Sequence, residues 1–151
     1  MVMYVLIALF KQSESRYQLS EDEKFYALSC SDLLSVIPAV IEGVPAMHDF
    51  FWDKIPVRTY ERQMQTGSVA ARRALQEANG LKAPERFRAM HEHLVQGLRY
   101  FDDSYAAALA YPAEHLRTHI AKAIELALLG AAELREARAA WVQLERSTSG
   151  E

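Results

Sequence analysis

The chain has 151 residues, half of them apolar and a quarter charged, with 17 Lys and Arg against 20 Asp and Glu and a net charge of −3. This composition is typical of a soluble globular domain and excludes a largely disordered chain. The charge balance provides no basic field for a phosphate backbone, so no nucleic-acid partner is expected, and the single cysteine excludes an internal disulfide and a multi-cysteine metal site.

The first ten residues, MVMYVLIALF, are uninterruptedly apolar. Spanning a bilayer takes about 20 residues, so the run is too short for a transmembrane helix, and membrane association is considered only through residues 1–10. The first interpretation is an element buried in the core. The alternatives are a segment that docks on a partner or a second copy, and the end of a longer export signal whose start lies upstream. Residues 1–19, this run and a polar connection, form an N-terminal unit outside the main domain.

A first helix is predicted from Ser20, because Ser20 and Glu23 match a capping box. Its apolar face carries Tyr26 and Cys30, so Cys30 is interpreted as a buried thiol and not a nucleophile. Pro38 is expected to kink this helix, and the segment 43–45, Gly-Val-Pro, is expected to close it.

The next stretch, residues 46–79, is predicted to be a broken helical arm. Pro56 and Gly67 interrupt it, Ser68 is a candidate cap for a final piece, and Gly80 follows its end. Whether the stretch forms one helix or two is left open.

A third helix is predicted from Pro84 to about Tyr111. A fourth follows from Pro112 to Arg146, with Pro112 as its first residue, and 147–151 form a disordered tail. Gly130 lies on a stretch of small residues in the fourth helix, where it either allows close approach of a neighbouring backbone or is merely tolerated.

Four helices with short connections predict an all-α fold, an up-and-down four-helix bundle over residues 20–146 with a broken second helix and a short apolar N-terminal segment. A turn near residues 111–112 places Gly97 beside Ala123 and Ala127. The small residues on both helices then favour close packing.

The same register brings four candidate metal ligands to one end of the bundle. His115 and His119 are four residues apart and project from one helical face, a spacing by which a helix supplies two ligands to zinc or iron. His48 and Asp53 are the candidates to complete the site. No Glu-x-x-His occurs, which excludes the di-iron pattern of ferritin-like bundles.

Other side chains are interpreted as structural. His91 lies on the core stripe of the third helix and is predicted to be a hydrogen-bonded core histidine, not a catalytic base. The aromatic residues of segment 50–52 and Trp141 are predicted to be core, with a ligand pocket as the alternative.

The function predicted from these features is that of a non-enzymatic helical bundle acting through protein interaction or assembly, with a homo-oligomer formed through the apolar N-terminus. The alternative is a metal-binding or metal-dependent enzyme that uses the His-x-x-x-His pair. A third hypothesis is an exported or membrane-tethered domain, although a cytoplasmic location is favoured. No substrate or cofactor is indicated.

Overall fold

The computed structural model describes residues 19–114 and 117–148, and this part of the chain forms an all-α, up-and-down four-helix bundle, as predicted. Three short helices in succession make the first arm, and three long helices follow. The helices are α1 (Glu21–Leu34), α2 (Ile37–Ile41), α3 (Val44–Phe51), α4 (Val57–Gly80), α5 (Arg88–Glu114) and α6 (Arg117–Thr148), with a 3-10 turn at Glu85–Phe87. No β-strand occurs within the described ranges. The apolar run 1–10, the polar residues up to 18, His115 and the last three residues lie outside them.

The first arm begins with the predicted capping box and is then interrupted twice. The Ser20 hydroxyl accepts from the Glu23 N–H at 3.2 Å, and the Glu23 carboxylate accepts from the Ser20 N–H at 3.2 Å. The kink predicted at Pro38 is a break between two helices, since α1 ends at Leu34 and Pro38 lies in the first turn of α2. The predicted closure at 43–45 is confirmed for α2, which ends at Ile41, but the arm does not end there. Pro45 lies in the first turn of α3, where a proline needs no hydrogen-bond partner, and the arm continues to Phe51.

The stretch 46–79 contains two helices, because α3 ends at Phe51 and α4 begins at Val57, after Pro56. The predicted end beside Gly80 is confirmed. The predicted interruption at Gly67 and cap at Ser68 are wrong, since α4 runs through both. Gly67 faces the ring of Tyr105, and a Cβ atom there would lie 2.3 Å from that ring. The glycine therefore makes room for an aromatic side chain and does not end a helix.

Pro112 lies in the last turn of α5 and is not the first residue of α6, contrary to the prediction. A proline in a helix has no N–H for the carbonyl four residues earlier, which here belongs to Ala108. The Tyr60 hydroxyl from α4 donates to that carbonyl at 2.7 Å. The carbonyl that Pro112 leaves without its helical donor is therefore satisfied by a side chain, and α5 continues to Glu114.

Two glycines allow the backbones of α5 and α6 to approach closely. A Cβ atom on Gly97 would lie 3.2 Å from the Gly130 carbonyl oxygen, and one on Gly130 would lie 3.1 Å from the Gly97 carbonyl oxygen. Of the two interpretations of Gly130, close packing is confirmed. The predicted contact of Gly97 with Ala123 and Ala127 is wrong by about one helical turn, because α5 extends beyond Tyr111 and shifts its partners along α6.

The first arm leaves much of its apolar surface outside the bundle core. The helical stretch Glu21–Phe51 is long and apolar enough to cross a membrane by length and composition alone, a test that core helices of soluble proteins also pass. Only 28% of its most apolar part is buried. Tyr26, Cys30 and Val40 face the core, and much of the remaining apolar surface lies outside it.

Candidate functional site

The four predicted metal ligands occupy different surroundings. Asp53 lies between α3 and α4 and accepts from the Arg117 guanidinium at 2.8 Å, so it does share a bundle end with the start of α6. His48 is exposed on α3, His119 is partly buried on α6, and His115 lies outside the described residues.

The Asp53 carboxylate is engaged by a cation. Its hydrogen bond and its charge raise the pKa of Arg117 above the ordinary value. Over residues 19–114 and 117–148, no three His, Cys, Asp or Glu side chains are grouped so that they could hold a metal ion. Because His115 is outside that part, the metal site with His48, Asp53 and His119 stays a prediction.

His91 and Cys30 belong to the core, as predicted. The Tyr26 hydroxyl and His91 Nδ1 share a hydrogen bond of 2.9 Å between α1 and α5. Burial lowers the pKa of His91 and raises the pKa of Cys30 to about 11. A thiol with that pKa is almost wholly protonated at neutral pH, so this cluster lacks a nucleophile.

An open apolar groove lies where the first arm breaks. Its volume is about 420 Å³, within the range of ligand-binding pockets. We call it the Trp141 groove, and it is lined by Leu34, Ser35, Ile37 and Pro38 from the α1–α2 break, Met90 and Leu94 from α5, and Leu134, Ala137, Arg138 and Trp141 from α6. Most of these side chains are apolar, so the groove favours an apolar occupant.

Trp141 is the aromatic side chain of this groove and also part of the core. Only 2% of its surface is exposed, and its ring centroid lies 5.4 Å from that of Phe87. Its indole N–H is buried and has no hydrogen-bond partner among the described residues. A buried donor left unpaired costs about 1–3 kcal/mol, and buried tryptophans usually find a partner for it.

The first arm, which lines one wall of the groove, also exposes apolar side chains on its outer surface. Phe25 is 71% exposed, Leu28 is 56% exposed and Ile41 is also exposed. Large exposed apolar side chains gathered on one element are typical of a surface that contacts another chain or segment.

The sequence indicated only part of this groove. The sequence predicts that Trp141 lies in the core, with a ligand pocket as the alternative, and this residue belongs to both. Of the aromatic residues in segment 50–52, Phe50 stacks on Tyr60 at 4.2 Å, whereas Trp52 is 66% exposed. For the wall at the α1–α2 break, the sequence indicates only Pro38. A proline that breaks a helix leaves neighbouring side chains without their usual packing.

Comparison with known proteins identifies no relative: no protein-family model, curated protein or solved structure matches this chain.

Proposed function

We propose that this chain is a non-enzymatic helical-bundle domain that acts by binding an apolar segment of a protein in the Trp141 groove. The observation that supports the proposal is the groove itself, about 420 Å³, apolar and open beside the break in the first arm. Helix-in-groove recognition uses such a surface, since the apolar face of one helix is buried between the helices of another protein.

A further feature favours a protein segment as occupant. The first arm, which lines one wall of the groove, also exposes Phe25 and Leu28, and such apolar side chains are typical of a surface that contacts another chain.

A labelled amphipathic peptide of leucine and lysine is a suitable probe, and its fluorescence anisotropy gives the affinity for the full-length protein. Ile37→Lys places a charge on the groove wall, so we expect the affinity to fall by about tenfold or more, the equivalent of about 1.4 kcal/mol. Val69→Lys is the matched control, because Val69 is 69% exposed on α4, which contributes no lining residue. Circular dichroism establishes that both variants fold. Equal affinities of the two folded variants would overturn the proposal.

A further inference from the structure

The Trp141 groove is open and apolar, and the chain itself contains an apolar segment that needs burial. Residues 1–10 are MVMYVLIALF, and residues 11–18 are the polar stretch KQSESRYQ. Ten apolar residues exposed together would be an aggregation hazard, so a soluble protein buries them against something. We propose that Met1–Phe10 occupies the Trp141 groove of its own chain.

The inference rests on the proposed function and adds its regulation. If the chain's own segment fills the groove, any protein partner must displace it. The groove is then autoinhibited. Only molecules whose segment has left the groove bind a partner, so the apparent affinity is reduced in proportion to their fraction.

The length of the connection allows the segment to reach the groove. Tyr26 contacts Phe87 at 5.1 Å between ring centroids, and Phe87 contacts Trp141 at 5.4 Å. Tyr26 lies six residues after Ser20, about 9 Å along the helix. With the length of the Tyr26 side chain included, the start of α1 is therefore within roughly 25 Å of Trp141, whereas eight extended residues span up to about 28 Å.

The same geometry favours the segment of the same chain over that of a second copy. A short flexible connection gives its ligand an effective concentration in the millimolar range, which exceeds the concentration of a second copy in ordinary solutions. Seven residues separate Leu134 from Trp141, about 10 Å along α6, a length that ten residues cover in either a helical or an extended conformation.

Peptide binding to the full-length chain tests the competition. The double variant Val5→Asp, Leu6→Asp weakens the apolar face of the segment, so the leucine–lysine peptide should bind about tenfold more tightly than to the wild type. Unchanged affinity would overturn the inference. The proposed function would still stand in that case, provided that Ile37→Lys weakens binding and Val69→Lys does not.

Disulfide trapping tests where the segment lies. Each of Val5→Cys, Leu6→Cys and Ile7→Cys is combined with Ser35→Cys, whose side chain is exposed at the groove. We expect oxidation to give an intrachain disulfide, seen as a faster monomer band on a non-reducing gel, for at least one pair.

The control pairs combine the same segment cysteines with Val69→Cys on α4 and should give no cross-link. The native Cys30 is buried with a raised pKa and does not compete at neutral pH. A covalent dimer whose disulfide joins the segment cysteine of one chain to Ser35→Cys of another would place a second copy's segment in the groove and overturn the inference, as would the absence of any cross-link. The single variant Ser35→Cys shows how much dimer forms between two position-35 cysteines alone.

Discussion

Several buried hydroxyl groups in this bundle bind backbone carbonyls of neighbouring helices. Ser104 donates to the Ala123 carbonyl at 2.6 Å, and Tyr105 donates to the Val40 carbonyl. Each bond adds about 1 kcal/mol while it is made and costs more if one partner is removed, so these side chains fix how the helices are placed along one another. The buried indole N–H of Trp141 departs from this pattern, because it has no hydrogen-bond partner among the described residues.

His91 makes the stability of the fold depend on pH. Burial lowers its pKa below 6.5, and the negative charge of Glu92 offsets part of that effect. As pH falls below 6.5, the unfolded chain binds a proton at this position before the folded chain does. The stability that neutral His91 contributes is complete above pH 6.5 and is lost as pH falls towards the lowered pKa.

The prediction is tested with His91→Gln, which keeps a polar side chain beside Tyr26 but does not titrate. Urea unfolding at about pH 7.5 and about pH 5 should show a smaller acid-induced loss of stability in the variant than in the wild type. The same loss in both proteins would mean that His91 does not control this dependence.

At the scale of the helices, local sequence patterns predicted where several elements begin and end. Ser20 and Glu23 act through their own backbone neighbours, and α4 ends at Gly80, a residue that weakens helices by itself, so no tertiary information was needed. Gly67 and Pro112 were misassigned because their surroundings come from other helices. Tyr105 of α5 fills the space at Gly67, and Tyr60 of α4 supplies the donor that Pro112 removes.

The end of α5 therefore depends on a side chain of α4. Tyr60→Phe removes the donor to the buried Ala108 carbonyl and should lower the free energy of unfolding by about 1–3 kcal/mol. In a Pro112→Ala background, residue 112 regains a backbone N–H for the Ala108 carbonyl. Tyr60→Phe should then lower the free energy of unfolding by at least about 0.5 kcal/mol less than it does in the wild type.

Chemical denaturation of the wild type, the two single variants and the double variant provides the measurement as a double-mutant cycle. The tyrosine ring stays in place in all four proteins, so stacking with Phe50 is retained. Additive effects would show that Tyr60 does not substitute for the missing donor.

For the whole molecule, the four-helix bundle followed from the spacing of apolar residues, whereas the groove did not. Forming the groove brings together three elements: the break before Pro38, Met90 and Leu94 on α5, and the stretch from Leu134 to Trp141 on α6. The predicted register was displaced by about one turn once α5 continued past Tyr111. A surface shared by three helices depends on that register, so sequence periodicity alone could not place it.

The two functional hypotheses differ in the metal content of the whole protein. A domain that acts through the Trp141 groove should contain far less than one zinc, iron or manganese ion per chain when purified without a tag. Elemental analysis of the wild type beside His115→Ala and His119→Ala makes the comparison. Nearly one metal ion per wild-type chain, lost in both variants, would instead support the metal hypothesis.

The burial of Cys30 on α1 allows openings of the first arm to be followed by chemical labelling. The chain has one cysteine, and its raised pKa keeps the thiol unreactive while α1 stays packed. The rate at which Cys30 is alkylated in the unmodified protein therefore reports how often the first arm opens. If that arm detaches while α5 and α6 stay together, the opening free energy obtained from the labelling rate will be smaller than the free energy of global unfolding.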